Sequence, residues 1–216
     1  MIRHHPSSDL LSSYASGSLN AGAALVVGSH VDVCAVCRKE LSLLNSVGGL
    51  LLTRIEPASL GEGALDRMMK RLGDDPAPAR AETPLPRFLN GFAIPKRLKA
   101  QDIGAKMWLA PGIWFAPVIA DREMESRTYF VYGAKRKTLP QHTHPGRELT
   151  VVLKGAYTDI LGDFAVGDFA EADDTISHAQ IVGPDSECLC LISADGPMKP
   201  DGFIARAVQS FAGHRY

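Results

Sequence analysis

The chain has 216 residues, of which 45% are hydrophobic and 22% charged, with a formal net charge of −1. That length suits two modest domains or one large one, and the near-neutral balance lacks the basic excess of a nucleic-acid or anionic-membrane binder. No apolar run reaches the roughly 20 residues of a membrane span, no signal-peptide core follows Met1, and four cysteines make no disulfide framework, so a soluble, reduced, cytoplasmic protein is expected.

Residues 7 to about 75 read as helical. Ser7 or Ser8 is placed to cap a first helix carrying Leu10, Leu11 and Tyr14, which Gly17 would end. A second helix from about Asn20 holds Leu25, Val26 and His30 and ends near Val33. A third follows with Leu41, Leu44, Val47 and Leu51 at helical spacing. A fourth is predicted to begin at Ser59-Leu-Gly-Glu62, which fits a capping box. It sets Leu65, Met68, Met69 and Leu72 on one side, either as core or as a contact for a partner.

The end of the second helix carries metal chemistry. His30 and Cys34 are four apart, and Cys37 follows three later. Two thiolates and an imidazole from one segment, closed by His4 or His5 from the N-terminal arm, make a tetrahedral set suited to Zn²⁺. A redox Cys-x-x-Cys is the competing reading, but no βαβ pattern surrounds it. A structural metal would lend a small helical domain rigidity that its core alone does not supply.

Four prolines (76, 78, 84 and 86) then fall within eleven residues and mark a stiff linker over residues 76–87. Beyond it the pattern is β. Trp108, Trp114, Phe115, Thr128–Tyr132 and Leu149–Leu153 are strand-like and punctuated by Pro111-Gly112, Gly133, Gly155, Gly162 and Gly167. The expected fold is therefore α+β multidomain. A helical domain (1–75) precedes an all-β domain (88–195), and residues 196–216 form a tail.

A second ligand set lies in the β part. Alternation along a strand puts His142 and His144 on one face, Glu148 returns after a Pro-Gly turn, and His178 follows Gly167-Asp168-Phe169. Three imidazoles and a carboxylate suit zinc, iron, manganese or nickel, and spacing does not choose among them. The His-x-His-x-x-x-Glu order, the six residues between Glu148 and Gly155, and the Gly-Asp…His178 half resemble the cupin superfamily, which implies a jelly-roll barrel. The chain departs from the cupin pattern at Asp173-Asp174 and at Val182.

Taken in order, the N-terminal histidines, His30-x-x-x-Cys34-x-x-Cys37, the Pro-rich linker and the cupin histidines resemble ChrR-type zinc-dependent anti-sigma factors. The resemblance extends to Ile2-Arg3-His4-His5 and Ser46-Val-Gly-Gly49. It implies a zinc-binding four-helix anti-sigma domain with ligands His5, His30, Cys34 and Cys37, and it selects His5 over His4. It also implies a cupin sensor holding zinc or another divalent transition metal through His142, His144, Glu148 and His178. The implied partner is one extracytoplasmic-function sigma factor in a 1:1 complex, released on an oxidative signal such as singlet oxygen, with no direct DNA binding. Seven Lys/Arg against eight Asp/Glu in residues 1–75 agree with a protein partner rather than DNA.

The rival reading is a metal-dependent cupin enzyme (dioxygenase, isomerase or hydrolase) with a helical zinc domain for assembly. A third is a zinc-stabilised interaction module with a passive cupin. Cys188 and Cys190, at i and i+2 of one strand, are either buried core thiols or a redox pair.

Overall fold

Ser7 caps the first helix: its side chain accepts from the Leu10 N–H, and α1 runs Ser8–Ala15. Gly17, at φ 70°, turns the chain out of it. Asn20 caps α2 (Ala21–Val33) by accepting from the Ala23 N–H at 2.8 Å. Cys34 is a one-residue hinge, the last cap of α2 and the first of α3 (Ala35–Leu52), and the two helices bend by 116° there. These elements come from a computed structural model, which describes residues 1–72, 84–120 and 127–200. Most of the predicted Pro-rich linker and of the tail lies outside the described residues.

The fourth helix, α4 (Ala64–Leu72), starts later than its capping box implies. Gly61 and Gly63, the latter at φ 69°, shape a turn that leaves Ser59 and Glu62 outside the helix. The apolar positions of α3 also divide in two. Leu41 and Leu44 pack on the core, whereas Val47 and Leu51 are exposed, because the helix runs past the body of the protein.

The described residues after 84 form two short 3₁₀ turns, Arg87–Leu89 and Lys96–Leu98, and then twelve strands. The first six are β1 (Asp102–Ile103), β2 (Met107–Ala110), β3 (Ile113–Ile119), β4 (Arg127–Gly133), β5 (His142–Thr143) and β6 (Glu148–Lys154). The others are β7 (Ala156–Asp159), β8 (Gly162–Ala165), β9 (Phe169–Ala172), β10 (Ile181–Val182), β11 (Cys188–Ala194) and β12 (Lys199–Pro200). The large sheet has the order β1-β3-β4-β11-β6-β9 with β2 beside β3, all antiparallel. A β10-β7-β8 sheet and the β12-β5 pair accompany it. Four helices followed by this cupin-like β domain match the expected α+β architecture.

Every residue of β11 is buried because the large sheet is covered on both faces. Leu189 and Leu191 join Leu149, Val151 and Phe130 on the outer face, where they meet Leu25, Val26, Val27 and Val31 of α2. Cys188, Cys190 and Ile192 point inward with Val131, Val152 and Tyr157. α2 is apolar nearly all round, as a helix buried between layers must be. The helical and β parts therefore share one hydrophobic core. Arg97 fastens it from outside, donating twice to the Asp32 carboxylate and approaching the Tyr14 hydroxyl at 3.5 Å.

Candidate metal centres

All eight residues singled out in the sequence fall into two groups of four, with the possible ligand atoms of each group within 4.8 Å of one another. In the helical group, α2 presents His30 one turn before its end, the Cys34 hinge turns the chain, and Cys37 lies in the first turn of α3. His5 reaches them from the N-terminal arm. Its Nδ1 lies 3.3 Å from Cys34 Sγ and 3.4 Å from Cys37 Sγ, and His30 Nε2 lies 3.2 Å from Cys37 Sγ. A tetrahedral zinc with ordinary Zn–S and Zn–N bonds separates sulfur from nitrogen by about 3.6 Å. The donor set therefore fits that ion closely. His4 turns away, with its Nε2 3.1 Å from the Asp163 carbonyl and its ring against Phe164.

Protonation states suit the same role. His30 Nδ1 donates to the Gly167 carbonyl at 2.7 Å, which leaves the Nε2 lone pair facing the thiols. Burial pushes the His30 pKa down, against the opposing pulls of Gly167 and Asp168, so the ring is neutral. Burial and the neighbouring Cys34 push the Cys37 thiol up to about 12. Cys37 is thus a thiol that only a cation would deprotonate, and metal uptake there releases a proton.

The second group lies inside the barrel. His142 and His178 face each other across a bridge with reciprocal 3.0 Å backbone hydrogen bonds. Strand alternation puts Glu148 inward with Thr150 and Val152, while Leu149 and Val151 face α2. His142 Nδ1 donates to the Pro140 carbonyl at 2.7 Å, and His178 Nδ1 to Asp159 Oδ2 at 3.0 Å. These bonds set the tautomers, so both Nε2 atoms carry lone pairs.

Glu148 has Oε2 at 2.6 Å from His144 Nε2 and Oε1 at 3.4 Å from His178 Nε2. Neither contact is aligned as a hydrogen bond, and both ring nitrogens are buried with no hydrogen-bond partner. Burial alone would raise the Glu148 pKa, but the three histidines outweigh it and hold the carboxyl below its usual value. Lone pairs facing a buried carboxylate call for a cation between them. The set suits a divalent transition metal, and its chemistry does not select one.

The histidines also set how stability depends on pH. Burial lowers the folded-state pKa of His30 and His142 below their ordinary value near 6.5. Each contribution is complete above that value and is lost as pH falls through the lowered one. For His178, burial lowers the pKa, but Asp159 and Glu148 outweigh it and the net shift is upward. Its contribution is present below the ordinary value and is lost as pH rises through the raised one. The His30 part is isolated by urea unfolding in chelator: His30→Gln is expected to lose less stability than wild type between pH 7.5 and pH 5.5.

Sequence reasoning missed the groups that orient these side chains: Asp159, Gly167 and the carboxylate of Asp168. Gly167-Asp168 is visible as part of the cupin pattern, but nothing in it points to the N-terminal arm. Cys188 and Cys190 are buried, 3.7 Å apart, beside a cavity of about 10 Å³ that Tyr157 and Gln180 also line. Contact with Cys188 and burial hold the Cys190 thiol well above the usual range, so it is protonated at neutral pH. This favours buried core thiols over a reactive pair.

Among the described residues no single helix is long and apolar enough to cross a membrane; α2 and α3 together pass on length and composition but are sharply bent. Residues 99–198 match the ChrR cupin-like domain family. The Anti-sigma-E factor ChrR of Cereibacter sphaeroides is 34% identical over 213 residues, covering 97% of this chain and 98% of that protein. The crystal structure of Rhodobacter sphaeroides SigE in complex with the anti-sigma ChrR aligns with a TM-score of 0.73 and 32% identity, covering 90% of this chain and 99% of that one. On this near-full-length similarity, the chain belongs to the ChrR-type anti-sigma factors.

Proposed function

We propose that this chain sequesters one extracytoplasmic-function sigma factor in a 1:1 complex in the cytoplasm, and that the cupin part governs its release. The observation that carries this reading is an exposed apolar surface on the helical part, uncovered among the described residues. Leu65, Met68, Met69 and Leu72 form one stripe of α4, each 59–73% exposed. Val47 and Leu50 extend the exposed apolar surface on the outer half of α3. Stripes at i, i+3, i+4 and i+7 are what a helix uses to bind a groove on another protein. Membership of an anti-sigma family makes a sigma factor the fitting occupant.

Residues 1–75 act as the sequestering part, 76–87 as the connection and 88–195 as the sensor. His5, His30, Cys34 and Cys37 hold zinc that ties the arm, α2 and α3 together. His142, His144, Glu148 and His178 hold zinc or another divalent transition metal in the barrel. A signal there shifts binding only if the sigma-bound and released states differ in how the barrel meets the helices. An oxidative signal fits the family resemblance. The enzyme reading has no comparable support, since the near-full-length relative is an anti-sigma factor.

Co-expression of the full-length chain with each extracytoplasmic-function sigma factor of its host tests the partner. One of them is expected to co-purify in equal amount, and failure of all to do so contradicts the reading. The sensor part is tested with Glu148→Gln. This variant is expected to lose the barrel metal while still holding the sigma factor, and to stop releasing it on oxidant challenge. Undiminished release from a barrel shown to be metal-free contradicts the sensor assignment.

A further inference from the structure

The side chains and backbone that orient the helical metal group belong largely to the β part. Asp168 accepts three backbone N–H groups: Arg3 at 2.6 Å and His4 at 3.1 Å on Oδ1, and Ala165 at 2.9 Å on Oδ2. Burial would raise its pKa, but these bonds outweigh it and keep Asp168 ionised below the usual carboxylate range. The Phe169 N–H donates to the His4 carbonyl at 3.1 Å. The residue after this clamp is His5.

The same turn orients His30. The Gly167 carbonyl takes its Nδ1 proton, and the Phe169 ring stands edge-on to the imidazole at 5.6 Å. Gly167 has φ 88°, and a Cβ there would lie 2.7 Å from Ile2 Cδ1, so glycine is what lets the arm pass. The preceding hairpin also spans both metal groups. Asp159 holds His178, and the Asp163 carbonyl, 3.1 Å from Arg3 Nη2, holds the arm.

We infer that the β8–β9 turn is the outer shell of the helical metal group, with Asp168 positioning His5 and Gly167–Phe169 positioning His30. This rests on the reading that His5, His30, Cys34 and Cys37 hold a metal. It follows that the grip of the helical group on its ion depends on the helices staying docked against the sheet. The hairpin reaching from Asp159 to Phe169 gives the barrel a direct hold on the part that binds the partner.

The test uses full-length protein loaded with Co²⁺. Thiolate-to-cobalt absorption reports the helical group alone, since the barrel group has no sulfur ligand. Chelator competition followed at that band compares wild type with Asp168→Ala, Asp168→Asn and Phe169→Leu, while total cobalt reports the barrel group. Asp168→Ala is expected to weaken the thiolate group about 10–100-fold, as loss of an outer-shell partner does. Asparagine, which keeps one acceptor oxygen, should restore part of that loss, and barrel cobalt should stay constant. Phe169→Leu keeps the apolar contact with α2 and should also weaken the thiolate group, which covers the case in which Asp168→Ala does not fold.

Thiolate-site affinities within twofold of wild type in the folded variants overturn the inference and leave the metal reading intact. No thiolate–cobalt band in the wild type overturns both.

Discussion

Replacing Cys34 and Cys37 together with serine is expected to remove one of two metal ions per chain and to abolish binding of the sigma factor. Serine keeps the size and polarity of the side chain but supplies no soft thiolate. Structural zinc contributes on the order of 10–16 kcal/mol in small zinc domains, so the double variant removes the strongest tie in the helical part. The break would come at a vulnerable place. Cys34 is the hinge between α2 and α3, and its side chain makes no cap to α3. Without the ion, α3 keeps the packing of Leu41 and Leu44 on the core and the bonds of Glu40 to Ser8 and of Arg38 to the Val31 and Asp32 carbonyls. Its first turn, however, loses the tie to the arm and to His30. The angle between α2 and α3 is then less firmly set, and with it the placing of the exposed residues proposed to meet the partner. The barrel metal should remain, because none of its ligands comes from the helices. Metal analysis of the purified variant, beside a sigma-factor pull-down, checks both halves.

The second large effect is expected on the outer face of α4. Changing Leu65 and Met69 to aspartate should weaken sigma-factor binding by at least 100-fold, since charges on a buried contact lose the apolar burial and add a desolvation cost. The isolated chain should melt within a degree or two of wild type, because substitutions at exposed sites cost little. A pair of intramolecular core residues would behave in the opposite way, with lower stability and no specific loss of binding. Titration by calorimetry together with a thermal melt separates the two.

Much of the site was legible because its chemistry is local. His30, Cys34 and Cys37 lie within eight residues, so helix geometry alone brings them near one point, and His142, His144 and Glu148 follow from strand alternation. Ser7, Asn20 and Gly17 act at helix ends through bonds to near neighbours, and sequence spacing expresses such bonds. The failures were non-local. The turn made by Gly61 and Gly63 overrode an apparent capping box. Leu44 and Leu51, seven residues apart, stand within about 20° of each other on a helical wheel, and only the place where the protein body ends separates the packed one from the exposed one. Asp168 reaches Arg3 across 165 residues, a contact that no pattern in one sequence reveals. The use of β11 by two cores at once, with Leu191 outward and Cys190 inward, likewise depends on α2 docking on the sheet.

The most direct test of the central claim is run-off transcription by core RNA polymerase with the partner sigma factor, titrated with the full-length zinc-loaded chain. Transcription is expected to fall in proportion to added chain and to cease near one equivalent. Unchanged transcription in the presence of several equivalents of folded, metal-loaded chain would contradict the account.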